Sequence, residues 1–410
     1  MKQDGESEMQ CEHARFRDYQ DRDPYPFYEE LRRLGAVIWD DSMGGYLVTG
    51  FEDSAFVQKR EDLFQHPYSD LTGAMEVKGA RSVLLLHGED HKVMHRYLSR
   101  YLSSPDALRR FRENFIRPLS HRRIDTFVKD NRADFASSFG EQLPVDVVAA
   151  LIGLPWQDVE LLNRCKELND KFIKWSESFG DDPVVLDEAI AAGNEMDEIL
   201  IPFVRDRAKN PSEDLISALW SDGPNLLSNW SERDVLDQCK TLFPAGGETT
   251  AYLIDNMMHL LLLDDQLMST VSESPSELLP KLVEETLRLH GSIHFRIREV
   301  VQPTVLGGVS LVPGDRVFPI TAAADRDESR FPHAEVLDLE RKDLGRHIAF
   351  NVGPRQCVGA TFARAEAVAA YECVFERMRN VRSDPSAPPA AIPGFLSRGF
   401  RPLNILFDES

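Results

Sequence analysis

The 410-residue chain lacks any apolar run long enough to cross a bilayer, which takes about 20 such residues in succession. The most apolar runs, such as Met257 to Leu263, which ends on Asp264-Asp265, are far shorter. The start, Met1-Lys2-Gln3-Asp4-Gly5-Glu6, is acidic and has no apolar segment behind it, so no secretory signal is read and a cytoplasmic protein is expected. Cysteine is scarce. Cys11, Cys165, Cys239, Cys357 and Cys373 are scattered and contain no CxxC, which excludes a disulfide framework or a zinc knuckle. Positive charge is also short: 47 Lys and Arg against 68 Asp and Glu leave a formal charge of −21. That balance excludes nucleic acid as the main partner and disfavours an anionic membrane surface. There is no GxSxG and no HExxH, so a serine or zinc hydrolase is unsupported.

What is present suits a large core, with 42% hydrophobic and 28% charged residues. No Gly/Ser linker or repeat divides the chain, and the one low-complexity stretch is Ser383 to Pro393. Residues 1–20 are polar and are expected to be disordered, with a single domain over 21–410 that begins near Asp23-Pro24-Tyr25-Pro26. A helix is predicted over Phe27 to Leu34, stopped by Gly35, then a hairpin of Val37 to Trp39 and Tyr46 to Thr49. From Asp90 onward the pattern is long helices. Strand signals return only at Ile293 to Val301, Thr304 to Leu306, Val309 to Val312 and Leu403 to Phe407. The expected class is mainly α with small β-sheets, an α+β fold.

Two stretches break the rules of their surroundings. A capping-box pattern at Ser231 to Asp234 opens a helical periodicity that runs to Leu263, about 48 Å at 1.5 Å per residue. Its middle reads Phe243-Pro244-Ala245-Gly246-Gly247-Glu248-Thr249-Thr250. Pro244 cannot donate to the carbonyl four residues back, and the glycines remove bulk. Either the helix opens to let something flat lie against its backbone, with Glu248 and Thr249 as a proton relay, or two shorter helices meet at a turn.

The second stretch is His347 to Ala360, leading into a helix over Thr361 to Met378. Cys357 precedes that helix, where amide donors and the helix dipole favour a thiolate, and Arg355 lies two residues away. A buried hydrophobe has no need of two glycines, an Arg and a Phe around it. A thiolate that ligates iron fits the whole set.

Phe350-x-x-Gly353-x-Arg355-x-Cys357-x-Gly359 resembles the haem-binding signature of the cytochrome P450 family at every fixed position. Ala245 to Thr250 resembles that family's oxygen-binding motif, and Glu285-Thr286-Leu287-Arg288 its Glu-x-x-Arg pair. The resemblance implies a single-domain P450 fold with haem b (iron-protoporphyrin IX) between the long central helix and the Cys-loop helix, and O2 as co-substrate. It implies Cys357 as the axial metal ligand, Glu248 and Thr249 as catalytic proton donors, and Ala245, Gly246, Phe350, Gly353 and Gly359 against the cofactor. The haem propionates would meet His91, Arg298 and Arg355, with His95 or Arg96 in a supporting place. Glu285, Arg288 and Arg341 would form structural ion pairs. Asn351 and Ser292 depart from the family pattern, and so does Asp325.

The expected activity is that of a soluble bacterial-type monooxygenase, acting as a monomer on a largely apolar small molecule. Two electrons would come from a ferredoxin with its reductase. The alternative is a haem-thiolate ligand-binding or sensor protein, which has no use for a proton relay. Residues 91–123 hold nine Lys/Arg and two acids, a local +7, so an acidic ferredoxin is expected to dock near Arg96, Arg109, Arg110 and Arg112. Pocket residues are expected in the loop around Leu71 to Leu86, near Phe172 to Phe179 and near Phe395-Leu396. Read as a strand, Ile293, His294, Phe295 and Arg296 would also approach the substrate, with His294 and Arg296 on the face shared with Arg298.

Overall fold

A computed structural model describes residues 15–67, 73–178 and 182–410. Cys11, residues 71–72 of the expected pocket loop, and Phe179 lie outside the described residues. No helix among those described is long and apolar enough to cross a membrane.

Among the described residues helices predominate, with three small sheets. One sheet has the strand order Val37–Asp40, Gly45–Val48, Arg316–Pro319, Arg298–Val300 and Phe64–Gln65. Gly45–Val48 and Arg316–Pro319 run parallel while the other pairs are antiparallel. A second sheet joins Arg132–Asp134, Asn404–Glu409 and Met378–Ser383. The third is a hairpin, Thr304–Leu306 with Val309–Leu311, turned at Gly307 and Gly308, both at positive φ.

Order begins earlier than expected. Phe16–Tyr19 is a 3-10 turn rather than part of a disordered arm, because Phe16 is buried among Phe27, Tyr28, Phe295 and Phe395. The segment from Ile293 is a second correction. Only Arg298–Val300 is strand. Ile293 makes one isolated bridge to Ser397, and 294–297 have no ladder partner, so the period-of-two argument fails there.

The long central helix is continuous but changes form. Glu232–Leu242 is α-helical, Phe243–Glu248 is π-helical, and Thr249–Leu263 is α-helical again. Its first part packs into one apolar core with Val235, Leu236, Cys239 and Phe243, and its last part into another with Leu253, Ile254, Met257 and Met258. The wide turn lies where the helix passes between them, a form found mostly at functional sites. The helix Leu143–Ile152, buried at every residue, runs behind it. A Cβ on Gly246 would lie 2.9 Å from Val148 Cγ2, and one on Gly247 3.1 Å from Val145 Cγ2. Gly246, expected against the cofactor, leaves by its absent side chain room for the neighbouring helix.

Candidate haem-thiolate site

A cavity of about 320 Å³ lies between the π-turn, the Cys357 loop, the helix Gly88–Ser103, the segment 293–298 and the turn at Leu396. Among its lining residues are Ala245, Thr249, His91, His95, Arg298, Phe350, Arg355 and Cys357. Residues more than 260 positions apart thus converge on one space.

The Cys357 loop is shaped by its backbone. The Cys357 N–H donates to Phe350 O at 2.8 Å, folding the loop back on itself. Gly353 takes φ +81°, and a Cβ there would come within 2.8 Å of Lys59 Cα, so no side chain fits. Asn351, the departure after Phe350, sits at φ +64°, a region asparagine tolerates. Its Nδ2 donates to Arg355 O at 2.9 Å. Cys357 keeps accessible surface, and it lines the cavity. Burial pushes its thiol pKa up, against the Gly359 N–H bonded to the sulfur and the charges of Arg296 and Arg364. Arg355, expected to favour the thiolate, is directed elsewhere. It pairs with Glu61 at 2.7 Å and donates to Leu84 O and Leu86 O.

His91 is buried, and burial together with Arg355 lowers its pKa to about 4, so it is neutral at pH 7. Its Nδ1 has no hydrogen-bond partner among the described residues. Arg298 is buried at the same cavity, as is His66, which sequence reasoning missed and which no local pattern marks. His95 Nε2 lies 2.6 Å from Gln356 O, beside Cys357. Arg96 is exposed and does not line the cavity, because it lies one position round the helix from the inward-facing histidine. That removes it from the propionate set. A single thiol, the guanidiniums of Arg298 and Arg355, an orphaned imidazole nitrogen and a mostly apolar lining fit a flat, iron-containing dicarboxylate.

On the opposite side, Thr249 Oγ1 donates to Ala245 O at 2.7 Å. Ser292, at another family departure, donates its hydroxyl to Thr249 O at 2.6 Å and so ties its own segment to the long central helix. Glu248 is buried and turned away from the cavity. Its carboxylate lies 3.4 Å from Arg401, which also reaches Glu141 at 3.2 Å and Asp255 at 2.9 Å and lies over Tyr252. Asp255, fully buried, has its pKa pushed up to about 7 by burial against the pull of Arg401.

Glu285 accepts from Arg288 at 2.7 Å and from Arg341 at 3.1 Å, all three buried. Two substrate expectations are corrected. His294 is fully buried away from the cavity with Nδ1 3.0 Å from Tyr28 Oη, since its segment is not a strand. Arg296 does line the cavity, but its guanidinium donates to the carbonyls of Phe295 and Ala349, tying the segment to the Cys357 loop. Ile293 and Phe295 line the space.

Most of the basic run is paired in space. Arg122 and Arg123 share buried Asp146, Arg112 and Arg117 meet Glu372, Arg110 faces Glu213, and Arg109 pairs with Asp106. Arg96 and Arg100 are exposed, and no ion pair holds them among the described residues.

The cytochrome P450 family model matches residues 186–386. Cytochrome P450 monooxygenase PikC of Streptomyces venezuelae is 30% identical over 397 residues, 93% of this chain and 91% of that protein. Pulcherriminic acid synthase of Bacillus subtilis (strain 168) is 26% identical over 394 residues, 94% of this chain and 95% of that protein. A crystal structure of P450BioI with a hexadec-9Z-enoic acid-ligated acyl carrier protein shares the fold at TM-score 0.84 and 24% identity. It covers 94% of this chain and 99% of that one. The chain belongs to the cytochrome P450 family. It is a monooxygenase, hence an oxidoreductase, and the family implies haem, dioxygen and a small-molecule substrate.

Proposed function

We propose that haem b is held by Cys357 and that the enzyme uses it to place one atom of O2 into a largely apolar small molecule, drawing two electrons from a ferredoxin-type partner in the cytoplasm. The observation that carries this is the convergence of Cys357, Thr249, His91, Arg298 and Arg355 on one cavity. When bound, the haem supplies dioxygen reduction and oxygen-atom transfer. Cys357 Sγ would ligate its iron, while His91 Nδ1, Arg298 and Arg355 would hold its carboxylates. Thr249 Oγ1 would pass a proton into the cavity, and Glu248 would replace it from the side of Arg401 and Glu141. The apolar lining excludes water from the reacting end.

Cys357→Ala should abolish the thiolate-type absorption band of the reduced, carbon-monoxide-bound protein. A variant that kept the band would place the ligand elsewhere.

Electron delivery is best supported at Arg96. Its neighbour His95 bonds the backbone next to Cys357, and with Arg100 it carries charge that the fold leaves uncompensated. Arg109, Arg110 and Arg112 contribute less, since acids within the chain already meet them. Charge reversal at Arg96 and Arg100 should slow reduction by a ferredoxin roughly tenfold or more at low salt while leaving substrate affinity unchanged. The same reversal at Arg109, Arg110 and Arg112 should have the smaller effect. Stopped-flow reduction of the two multiple variants decides which patch matters.

A further inference from the structure

The cavity contains a cation that none of the roles above uses. Lys78 ends the short helix Ala74–Lys78, held between Gly73 and Gly79, both at positive φ. It is 8% exposed and lines the cavity, with Nζ 5.6 Å from the ring centroid of Trp175. No carboxylate pairs with it among the described residues, and burial alone accounts for its pKa being lowered to about 8. Asp237, close to Gly79, is already taken by Arg233 and the Arg81 N–H. The nearby buried Lys240, by contrast, is paired with Asp197. A partly desolvated ammonium facing only an aromatic ring is costly unless an anion arrives to meet it. Leu242, Ile293 and Leu396 are among the apolar residues that line the same cavity. Ser176 and Thr241 also line the cavity.

We propose that Lys78 is a specificity-determining residue that selects an apolar substrate carrying one carboxylate, with the anion at Nζ beside Trp175 and the apolar body in the remainder of the cavity. The inference rests on the reading of this cavity as the monooxygenase's substrate site. A sequence reading would not isolate it, since a single Lys in a loop is ordinarily a surface charge.

The test is calorimetric titration of the haem-loaded enzyme with matched pairs of acid and methyl ester on three frames: dodecanoic acid, 3-phenylpropanoic acid and a diterpene acid. At least one acid should bind roughly tenfold or more tightly than its ester, the yield of a charge-assisted hydrogen bond. Lys78→Met should bring acid and ester to within about twofold, and Lys78→Arg should restore the preference. No acid outbinding its ester in the native enzyme overturns the proposal. So does a preference that survives in Lys78→Met. If Lys78 instead serves the cofactor, Lys78→Met loses haem content while keeping any acid preference, which also overturns it. The carbon-monoxide spectrum of the native enzyme separates the two readings. A missing thiolate band counts against Cys357, whereas an intact band without acid preference counts against Lys78 alone.

Discussion

Glu285→Ala is expected to cost the protein about 3–5 kcal/mol of stability, read as a fall in the denaturant midpoint with little change in slope. Glu285 accepts from Arg288 Nε and Nη2, from Arg341 Nε and from the Asp338 N–H. The two arginines spend their other donors on carbonyls of the 332–336 segment and on Asp325 O. Removing the carboxylate therefore leaves two buried guanidiniums near each other with no counter-charge. Glu285→Gln, which keeps an acceptor oxygen, should lose less. A loss below about 1 kcal/mol in the alanine variant would mean that water or the carbonyls alone can carry both charges.

The second large effect has the opposite sign. Glu366, on the helix Ala360–Arg377, is 1% exposed, its Oε1 has no partner among the described residues, and burial pushes its pKa up to about 8. In the unfolded chain it titrates near its ordinary 4.5. Between those values the folded state holds a proton that the unfolded state has released, so stability falls as pH rises through about 4.5 to 8. Complete loss over that window amounts to about 5 kcal/mol. Glu366→Gln stays neutral and should flatten most of this fall, making the variant the more stable protein at pH 8 and about equal to the parent at pH 4. Asp255 and Asp325, both raised to about 7 by burial, leave a residual slope of the same sign. Denaturation midpoints of the two proteins from pH 4 to 9 test it; parallel curves would mean that Glu366 is ionised in the fold.

Contiguous motifs could be read from the sequence because their residues act within a few positions of one another. The Cys357 loop, the opened helix and Glu285 with Arg288 are of this kind. What stayed hidden depends on chain segments meeting. Arg401 finds Glu248 across 153 positions, and Lys78 gains its meaning only by losing water against Trp175. The local +7 leaves out acids that meet it only in space: Asp146, Glu213 and Glu372 all lie outside that stretch. His294 was misplaced because the alternation of strand faces was applied to residues without a ladder. Ser292 and Asn351, departures from the family pattern, turn out to tie a segment to the central helix and to accommodate a left-handed backbone.

The close seating of Gly246 and Gly247 on Val148 and Val145 separates the size of the cavity from the identity of the residues that face it. The opened helix is a partition: the cavity on one side, a valine-lined backing on the other. Bulk added or removed behind it shifts the partition while every side chain facing the substrate is kept. Variation in a fully buried helix, far from the chemistry in sequence, thus becomes a means of retuning which molecules the enzyme accepts.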